Sequence, residues 1–172
     1  MKIAVIGYSG SGKSTLARQL GEIYAIPVLH MDKIQFESNW VERDEEEAKK
    51  MVKSFMNNND SWVMDGNYTK FYREERMSQA DRIVFMNFPR RVCLWQAFKR
   101  FIMFRGRSRE CMADGCNEKL DFEFVRWILA DGRSERHKKQ YAETLQKYSA
   151  KTVVLKDRKE TELFLKTLRT VP

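Results

Sequence analysis

A glycine-rich loop directly behind an apolar run constrains this chain more than any other feature of its sequence. The string GYSGSGKST occupies residues 7–15 and follows KIAVI. It matches the phosphate-binding pattern G-x-x-x-x-G-K-[ST] at Gly7, Gly12, Lys13 and Ser14. Glycines in such a loop let backbone N–H groups point at phosphate oxygens, and the helix that follows adds the positive end of its dipole. The pattern therefore predicts a strand, a phosphate-binding loop and a helix, in that order.

The chemistry of this loop assigns a role to each polar side chain. Lys13 is expected to reach the β- and γ-phosphates of ATP, and the Ser14 hydroxyl to ligate Mg²⁺. Ser11 and Thr15 are expected to support the backbone. The residues predicted to bind the nucleotide here are Gly7, Ser9, Gly10, Ser11, Gly12, Lys13, Ser14 and Thr15. The alternative is a Gly/Ser loop that only joins a strand to a helix.

The rest of the chain alternates between short apolar runs and helical patterns. Five runs are nearly continuous in apolar residues, as expected for strands that are buried on both faces. They are residues 2–7, 26–30, 61–65, 82–88 and 152–156. Helical periodicity follows the loop and covers 48–56, 89–104, 121–131, 134–148 and 158–169. Strand–helix alternation predicts a three-layer α/β fold of the P-loop NTPase type, with a five-stranded parallel sheet and helices on both faces. We expect a single domain over residues 1–172.

Composition and charge indicate in which cell compartment the protein is found and what kind of partner it could bind. No apolar run approaches the roughly 20 residues of a membrane span, and the three cysteines do not suggest a disulfide framework. These features predict a cytoplasmic protein without a membrane partner. The net charge is +8, and residues 90–109 carry seven basic residues and no acidic one. Such a block indicates either a solvated face or an anionic partner, which could be a nucleotide or a nucleic acid.

Several classes of phosphate-loop protein are excluded by motifs that the sequence lacks. It contains neither the N/T-K-x-D string of GTPases nor the L-S-G-G-Q string of ABC-type ATPases. In motor ATPases a strand commonly ends in Asp-Glu, whereas here Asp65 is followed by Gly66. No second carboxylate therefore stands beside Asp65 to activate water. This favours a phosphotransferase, which must exclude water from its site.

An ordered set of strings resembles a known bacterial family. The strings are GYSGSGKSTLA, PVLHMDKIQF, NWVERD, WVMDGNY, ADRIVFMNFPR and RGRSRECMADGCNEKLD. Together they resemble the DNA topology modulation proteins, which belong to the adenylate kinase-like and shikimate kinase-like P-loop kinases. The resemblance implies ATP and Mg²⁺ as ligands and a mobile helical lid, and the family's name implies an effect on DNA supercoiling. The string DGNYT departs from the D-G-[FY]-P-R of nucleoside monophosphate kinases, which argues against AMP as the acceptor.

The same resemblance implies roles for residues outside the loop. Asp32 would orient or deprotonate the acceptor hydroxyl, with residues 31–60 forming the acceptor-binding segment. Asp65 would hold Mg²⁺ through water. Arg100, at the start of a lid that spans residues 100–133, would pack on the adenine and contribute to catalysis. Further lid arginines are candidates for phosphate contact, namely Arg105, Arg107, Arg109, Arg133 and Arg136. The alternatives are turn or cap carboxylates and a solvated or nucleic-acid-facing arginine patch.

A few residues have weaker assignments. His30, Trp40 and Arg43 could contact the acceptor, although a satisfied strand-end histidine is the simpler interpretation of the first. Cys111 and Cys116 have a C-x₄-C spacing, but a structural zinc needs four ligands, so free thiols are expected.

Two functions therefore remain open from the sequence. The first is an ATP-dependent phosphotransferase with an unidentified small-molecule or nucleotide acceptor. The second is a nucleotide-dependent DNA-binding or regulatory protein, which the net charge of +8 and the pI near 9.4 would suit. A third possibility is a nucleotide-binding protein without catalytic activity.

Overall fold

The five apolar runs form one sheet in a computed structural model of the protein, which describes residues 1–109 and 111–170. The strands are β1 (Lys2–Gly7), β2 (Val28–His30), β3 (Trp62–Asp65), β4 (Arg82–Met86) and β5 (Thr152–Leu155). All neighbouring pairs are parallel, and the order across the sheet is β2-β3-β1-β4-β5. The predicted five-stranded parallel sheet is confirmed, with the strand that precedes the glycine-rich loop at its centre.

Within the described residues, eight α-helices connect or flank the strands. They are α1 (Lys13–Tyr24), α2 (Met31–Gln35), α3 (Glu45–Asn58), α4 (Arg73–Gln79), α5 (Arg90–Met103), α6 (Phe122–Leu129), α7 (Glu135–Lys147) and α8 (Arg158–Thr170). Short 3₁₀ turns span Ser38–Trp40, Asp131–Arg133 and Ser149–Lys151. The sequence patterns missed α2 and α4 because neither helix is long enough to repeat a 3.6-residue apolar period.

Side-chain alternation along the strands divides the core into two layers. On β1, Ala4 and Ile6 pack on one face of the sheet and Ile3 and Val5 on the other. The first face is covered by α2, α3, α4 and α7, and the second by α1, α5, α6 and α8. Because both faces are covered, the strands are buried on both sides and read as continuous apolar runs. The predicted three-layer arrangement is therefore confirmed.

The predicted lid, residues 100–133, is helical only towards its ends, in the last residues of α5 and in α6 with the 3₁₀ turn that follows it, and an irregular segment joins the two helices. The described residues of this segment, 104–109 and 111–121, contain no helix, and a single antiparallel bridge joins Ser108 to Asn117. The described residues also include no helix with both the length and the apolar character needed to cross a bilayer.

Candidate active site

The glycine-rich loop leaves β1 at the carboxyl edge of the sheet and enters α1. Gly7 has φ +144°, and a Cβ there would lie 2.5 Å from the Met86 carbonyl oxygen. Gly10 has φ +78°, and a Cβ there would lie 2.5 Å from the Cys93 carbonyl oxygen. Both positions require glycine, because the left-handed backbone and the neighbouring carbonyls exclude a side chain. The loop is thereby held close to β4 and α5.

The N-terminus of α1 is arranged to receive an anion. Within the described part of the chain no side chain caps this helix, and its first turn contains no acidic residue. Its first N–H groups therefore have no side-chain partner, and its dipole is not neutralised. The Lys13 Nζ folds back and donates to the Tyr8 carbonyl at 3.1 Å. Thr15 is exposed, whereas Ser11 is buried with no described partner for its Oγ.

Lys13 lies close enough to two of the predicted acidic residues, Asp32 and Asp65, to be influenced by their charges. Burial lowers the pKa of its ammonium group, and the charges of Asp32 and Asp65 partly oppose that change. Asp65 is the last residue of β3, as predicted, and it is only 4% exposed. Its Oδ1 lies 2.9 Å from His30 Nδ1. That contact follows from the sheet register, in which His30 and Asp65 are paired at the ends of β2 and β3.

Asp32 lies in the first turn of α2, just beyond His30 at the end of β2. The Tyr68 hydroxyl donates to Asp32 Oδ1 at 2.7 Å. The pKa of this phenol is raised, first by burial and then by the charge of Asp32 and the hydrogen bond to it. Tyr68 therefore remains a hydrogen-bond donor that orients the Asp32 carboxylate.

Two residues that the sequence analysis missed organise this edge of the sheet. Asn67 bridges to the phosphate loop, since its Oδ1 accepts from the Gly7 N–H at 3.1 Å and its Nδ2 donates to the Gly7 carbonyl. Arg76 is completely buried and donates to the carbonyls of Gly66, Tyr68 and Phe71. Burial lowers the pKa of Arg76 to about 10. The turn chemistry of DGN predicted a loop here, but no local signal indicated these partners.

The predicted lid arginines divide into a paired set and an exposed set. Arg100 Nε donates to Glu118 Oε1 and Arg109 Nε donates to Glu118 Oε2, each at 2.6 Å. The Glu118 carboxylate is buried, so the three groups form an enclosed cluster with one net positive charge. This cluster lies near enough to the loop for the charge of Arg100 to contribute to lowering the pKa of Lys13. Arg105 and Arg107 are exposed.

On the far side of the lid, Arg133 is the arginine that contacts the loop. Its guanidinium carbon lies 3.6 Å from the centroid of the Tyr8 ring, and its Nη2 donates to the Phe88 carbonyl at 2.7 Å. Arg136 is exposed in the first turn of α7. The Ser9 hydroxyl accepts from Trp127 Nε1 of α6 at 3.0 Å, which joins the same region to the loop.

Cys111 and Cys116 lie in different surroundings. Burial raises the pKa of the Cys111 thiol, which lies close enough to Arg109, Asp65 and Ser14 to be influenced by each. The Cys116 thiol contacts the Glu37 carbonyl at 3.1 Å, on the acceptor-binding segment. The described residues contain no group of three or more His, Cys, Asp or Glu side chains that could hold a metal ion.

The predicted acceptor-binding segment contacts the predicted lid. The Trp40 indole donates to the Asn117 carbonyl at 3.0 Å, and its backbone N–H donates to Cys116 Sγ. Arg43 is held internally, because it donates to the Ile34 carbonyl and pairs with Glu37 and Glu47. The segment and the lid therefore meet above the carboxyl edge of the sheet.

Solved structures with a similar overall fold include small-molecule and nucleoside kinases. A shikimate kinase from Bacteroides thetaiotaomicron is 17% identical, with 98% of this chain and 96% of that chain covered and a TM-score of 0.52. A gluconokinase from Sinorhizobium meliloti 1021 is 16% identical, with coverages of 98% and 93% and a TM-score of 0.51. A deoxyadenosine kinase from M. mycoides is 13% identical, with coverages of 99% and 100% and a TM-score of 0.51.

No protein-family model matches the chain, and no curated protein does. The comparisons therefore give no support to the resemblance to the DNA topology modulation proteins. The likeness to the three kinases extends over nearly the whole chain. This chain has the fold of the P-loop kinases.

Proposed function

We propose that this protein is a phosphotransferase that moves the γ-phosphoryl group of ATP to a small-molecule acceptor. The observation that carries the proposal is the convergence of Lys13, Asp32 and Asp65. These residues come from three separate segments, yet the charges of both carboxylates act on the Lys13 ammonium group. In the proposed reaction Lys13 would bind phosphate, Asp65 the metal and Asp32 the acceptor, all around one transferred group.

The triphosphate would lie on the loop and on the N-terminus of α1. The absence of a capping side chain among the described residues leaves the N–H groups of this helix open to phosphate oxygens. Lys13 would move from the Tyr8 carbonyl to the phosphates and neutralise charge that develops during transfer. Gly7, Ser9, Gly10 and Gly12 would line this cradle, and Ser11 and Thr15 would support it.

Ser14 and Asp65 fit a magnesium site. Both offer hard oxygen ligands, and Mg²⁺ in such enzymes is usually held by one or two protein oxygens together with phosphates and water. The buried carboxylate of Asp65 contacts His30 and interacts with the charge of Lys13, and a bound Mg²⁺ ion would be a further cationic partner for it. When bound, the metal would supply charge neutralisation at the phosphates.

Asp32 would act on the acceptor hydroxyl. The new bond forms between the γ-phosphorus and the acceptor oxygen, while the bond to the oxygen that bridges the β- and γ-phosphates breaks. The hydroxyl proton passes to an Asp32 carboxylate oxygen, and the negative charge departs on ADP. Tyr68 would keep Asp32 pointed at that hydroxyl.

The lid residues would exclude water and add positive charge. The cluster of Arg100, Arg109 and Glu118 keeps one positive charge beside the loop. Arg105, Arg107 and Arg136 are exposed and would be free to reach phosphates during closure. The contact of Arg100 with adenine stays a prediction, and the DNA-binding alternative has only the net charge of +8 in its favour.

The proposal is tested by ADP production from Mg·ATP across a panel of nucleosides, nucleoside monophosphates, sugars and hydroxy acids. We expect one acceptor class to stimulate turnover, and Lys13→Ala to abolish the stimulation. Stimulation that survives in Lys13→Ala would indicate a contaminating kinase. Binding of Mg·ATP without stimulated turnover by any acceptor would contradict the proposal.

A further inference from the structure

Glu118 is a buried carboxylate within the predicted lid. Its side chain is only 3% exposed, although it lies in the irregular segment between α5 and α6. Its Oε1 lies 2.6 Å from Arg100 Nε and 2.5 Å from Arg100 Nη2, and its Oε2 lies 2.6 Å from Arg109 Nε. One carboxylate therefore pairs with two guanidinium groups, of which one comes from the last turn of α5 and the other from the irregular segment.

The backbone of the irregular segment holds this carboxylate in place. An antiparallel bridge joins Ser108 to Asn117, and the Glu118 N–H donates to the Arg107 carbonyl at 3.2 Å. These contacts hold the two arms of the segment side by side, and the two arms carry Arg109 and Glu118. The pairing of Glu118 with the arginines is thus supported by the main chain as well as by the side chains.

The two guanidinium groups would repel each other without Glu118. Both side chains are largely enclosed, with 25% of Arg100 and 14% of Arg109 exposed. Burial and then the charge of Arg109 lower the pKa of Arg100, whereas the charge of Glu118 and the hydrogen bond to it oppose this change. Like charges repel more strongly in an enclosed site, because little water screens them. Glu118 therefore keeps two cations adjacent, and the cluster retains one net positive charge.

The cluster lies beside the phosphate loop. Arg109 Nη1 donates to Cys111 Sγ at 3.0 Å, and Ser14 lies close enough to that thiol to influence its pKa. The charge of Arg100 contributes to lowering the pKa of Lys13. The remaining terminal nitrogens, Nη1 of Arg100 and Nη2 of Arg109, have no partner among the residues that the structure describes. Each can therefore donate to a phosphate oxygen of a nucleotide bound on the loop.

We propose that Glu118 is a positioning residue that holds Arg100 and Arg109 side by side, so that both donate to the triphosphate of Mg·ATP. It acts through the two arginines and does not itself touch the nucleotide. A triphosphate carries several negative charges close together. A preformed pair of guanidinium groups binds it with a smaller loss of side-chain freedom than two mobile arginines would undergo. The inference rests on the proposed function for the identity of this ligand.

The test compares two Glu→Gln variants of the predicted lid by calorimetric titration with Mg·ATP. Each variant removes one negative charge, but Glu123 is exposed in the first turn of α6 and has no ion pair among the described residues. We expect the Kd of Glu118→Gln to rise at least about fivefold, because the two arginines separate, and that of Glu123→Gln to stay within about twofold. Glu118→Asp keeps the carboxylate and should recover part of the loss. An unchanged or lower Kd in Glu118→Gln would overturn the inference, since the added positive charge would then be the larger effect.

A variant with an apolar cluster separates positioning from stability. Replacement of Arg100, Arg109 and Glu118 together by Met leaves no buried charge of this cluster unpaired, so the melting temperature should stay close to that of the wild type. The Kd for Mg·ATP should still rise about tenfold or more, because the packing is restored but both donors are lost. Binding as tight as that of the wild type in this variant would show that the cluster is only structural and would overturn the inference.

Measurement of ADP release with the acceptor panel distinguishes this inference from the proposed function. If the wild-type protein transfers phosphate to no acceptor but the expected pattern of Kd values is found, the phosphotransferase is overturned and the role of Glu118 in nucleotide binding stands. If an acceptor stimulates turnover but Glu118→Gln binds Mg·ATP as tightly as the wild type, only the inference is overturned.

Discussion

At the scale of single residues, burial of the Lys13 ammonium group disfavours its protonated form. Burial lowers the pKa of this group below the ordinary 10.5, although the charges of Asp32 and Asp65 limit the decrease. The proposed role of Lys13 needs the protonated form, since only that form neutralises phosphate. Activity should therefore decline as the pH rises through the lowered pKa of Lys13. This decline should occur at a lower pH than it would if Lys13 were exposed.

This gives a pH-dependence prediction. For the free enzyme, kcat/KM for ATP should decline on the alkaline side with a midpoint below pH 10.5, the ordinary value for lysine. Lys13→Arg should be slower but should lack this decline, because guanidinium keeps its proton throughout the range. The measurement is a pH–rate profile at saturating acceptor. The same alkaline midpoint in Lys13→Arg would show that another group is responsible.

Asn67 supports the phosphate loop through both polar atoms of its amide. Its Oδ1 accepts from the Gly7 N–H, and its Nδ2 donates to the Gly7 carbonyl. Asn67→Ala should lower the free energy of unfolding by about 1–3 kcal/mol, because both backbone groups lose their partner. The Kd for Mg·ATP should rise by about tenfold as the loop loosens.

Asn67→Asp is the matched comparison. It keeps an acceptor for the Gly7 N–H but removes the donor and adds a negative charge near the triphosphate. The Kd for Mg·ATP should therefore rise further than in Asn67→Ala. A Kd within twofold of the wild-type value in both variants would show that Asn67 does not contribute to the binding of Mg·ATP. The measurements are urea denaturation and calorimetric titration with Mg·ATP.

At the scale of elements, the connection from β3 to α4 is organised by one buried cation. Arg76 donates hydrogen bonds to the carbonyls of Gly66, Tyr68 and Phe71. These bonds fix the backbone of the connection, which places Asn67 beside the loop and Tyr68 beside Asp32. Arg76→Met should lower the free energy of unfolding by about 2–4 kcal/mol, because three enclosed acceptors lose their donors.

Arg76→Lys keeps the charge but cannot reproduce the planar fork, so it should recover only part of this loss. Urea denaturation measures both variants. Stability equal to the wild type in Arg76→Met would mean that the connection does not depend on this residue.

The lid and the acceptor-binding segment are joined by polar contacts. The Trp40 indole donates to the Asn117 carbonyl, and Cys116 contacts the Glu37 carbonyl. Trp40→Phe keeps an aromatic ring but removes the indole donor, so the lid should open more often. Trypsin should then cut after the exposed Arg105 or Arg107 several times faster.

Trp95→Phe serves as the control for this experiment, since Trp95 is exposed on α5 and stacks on Phe98. Its tryptic cleavage rate should equal that of the wild type. Unchanged cleavage in Trp40→Phe would argue that the indole contact does not hold the lid. Gel densitometry over a digestion time course supplies the rates.

At the scale of the whole molecule, the sheet order brings the carboxyl ends of β1, β2 and β3 together. The loop, α2 and the β3–α4 connection begin at these ends, so a ligand there would couple three segments that are distant along the chain. Binding to the folded state alone stabilises it by mass action. The whole domain should therefore gain stability from Mg·ATP.

At a concentration about 100 times the Kd, Mg·ATP should stabilise the fold by about 2.7 kcal/mol. For a chain of this length that corresponds to a rise in Tm of roughly 5–10 °C. Lys13→Ala should show a much smaller shift, and calorimetry or dye-based melting measures both. Equal shifts in the two proteins would place the nucleotide outside the loop.

Much of the fold is encoded locally and was therefore predictable. The five apolar runs became the five strands, because the strands of a sheet covered on both faces must be apolar at nearly every position. The loop motif located Lys13 at the start of α1, and the third run ended at Asp65 as expected. Among the α-helices of the described residues, the short helices α2 and α4 were missed.

The sequence by itself thus determined the strands, the covering helices other than α2 and α4, and the positions of the loop and of Asp65, since each depends on neighbouring residues. The tertiary structure alone decided the partners. Asn67 with Gly7, Tyr68 with Asp32, and Arg100 with Glu118 join residues from different segments. Such pairs depend on strand register and on the path of irregular loops, which no local pattern records. For the same reason, the sequence shows that an arginine is charged but does not show whether its guanidinium is paired with a carboxylate or a carbonyl.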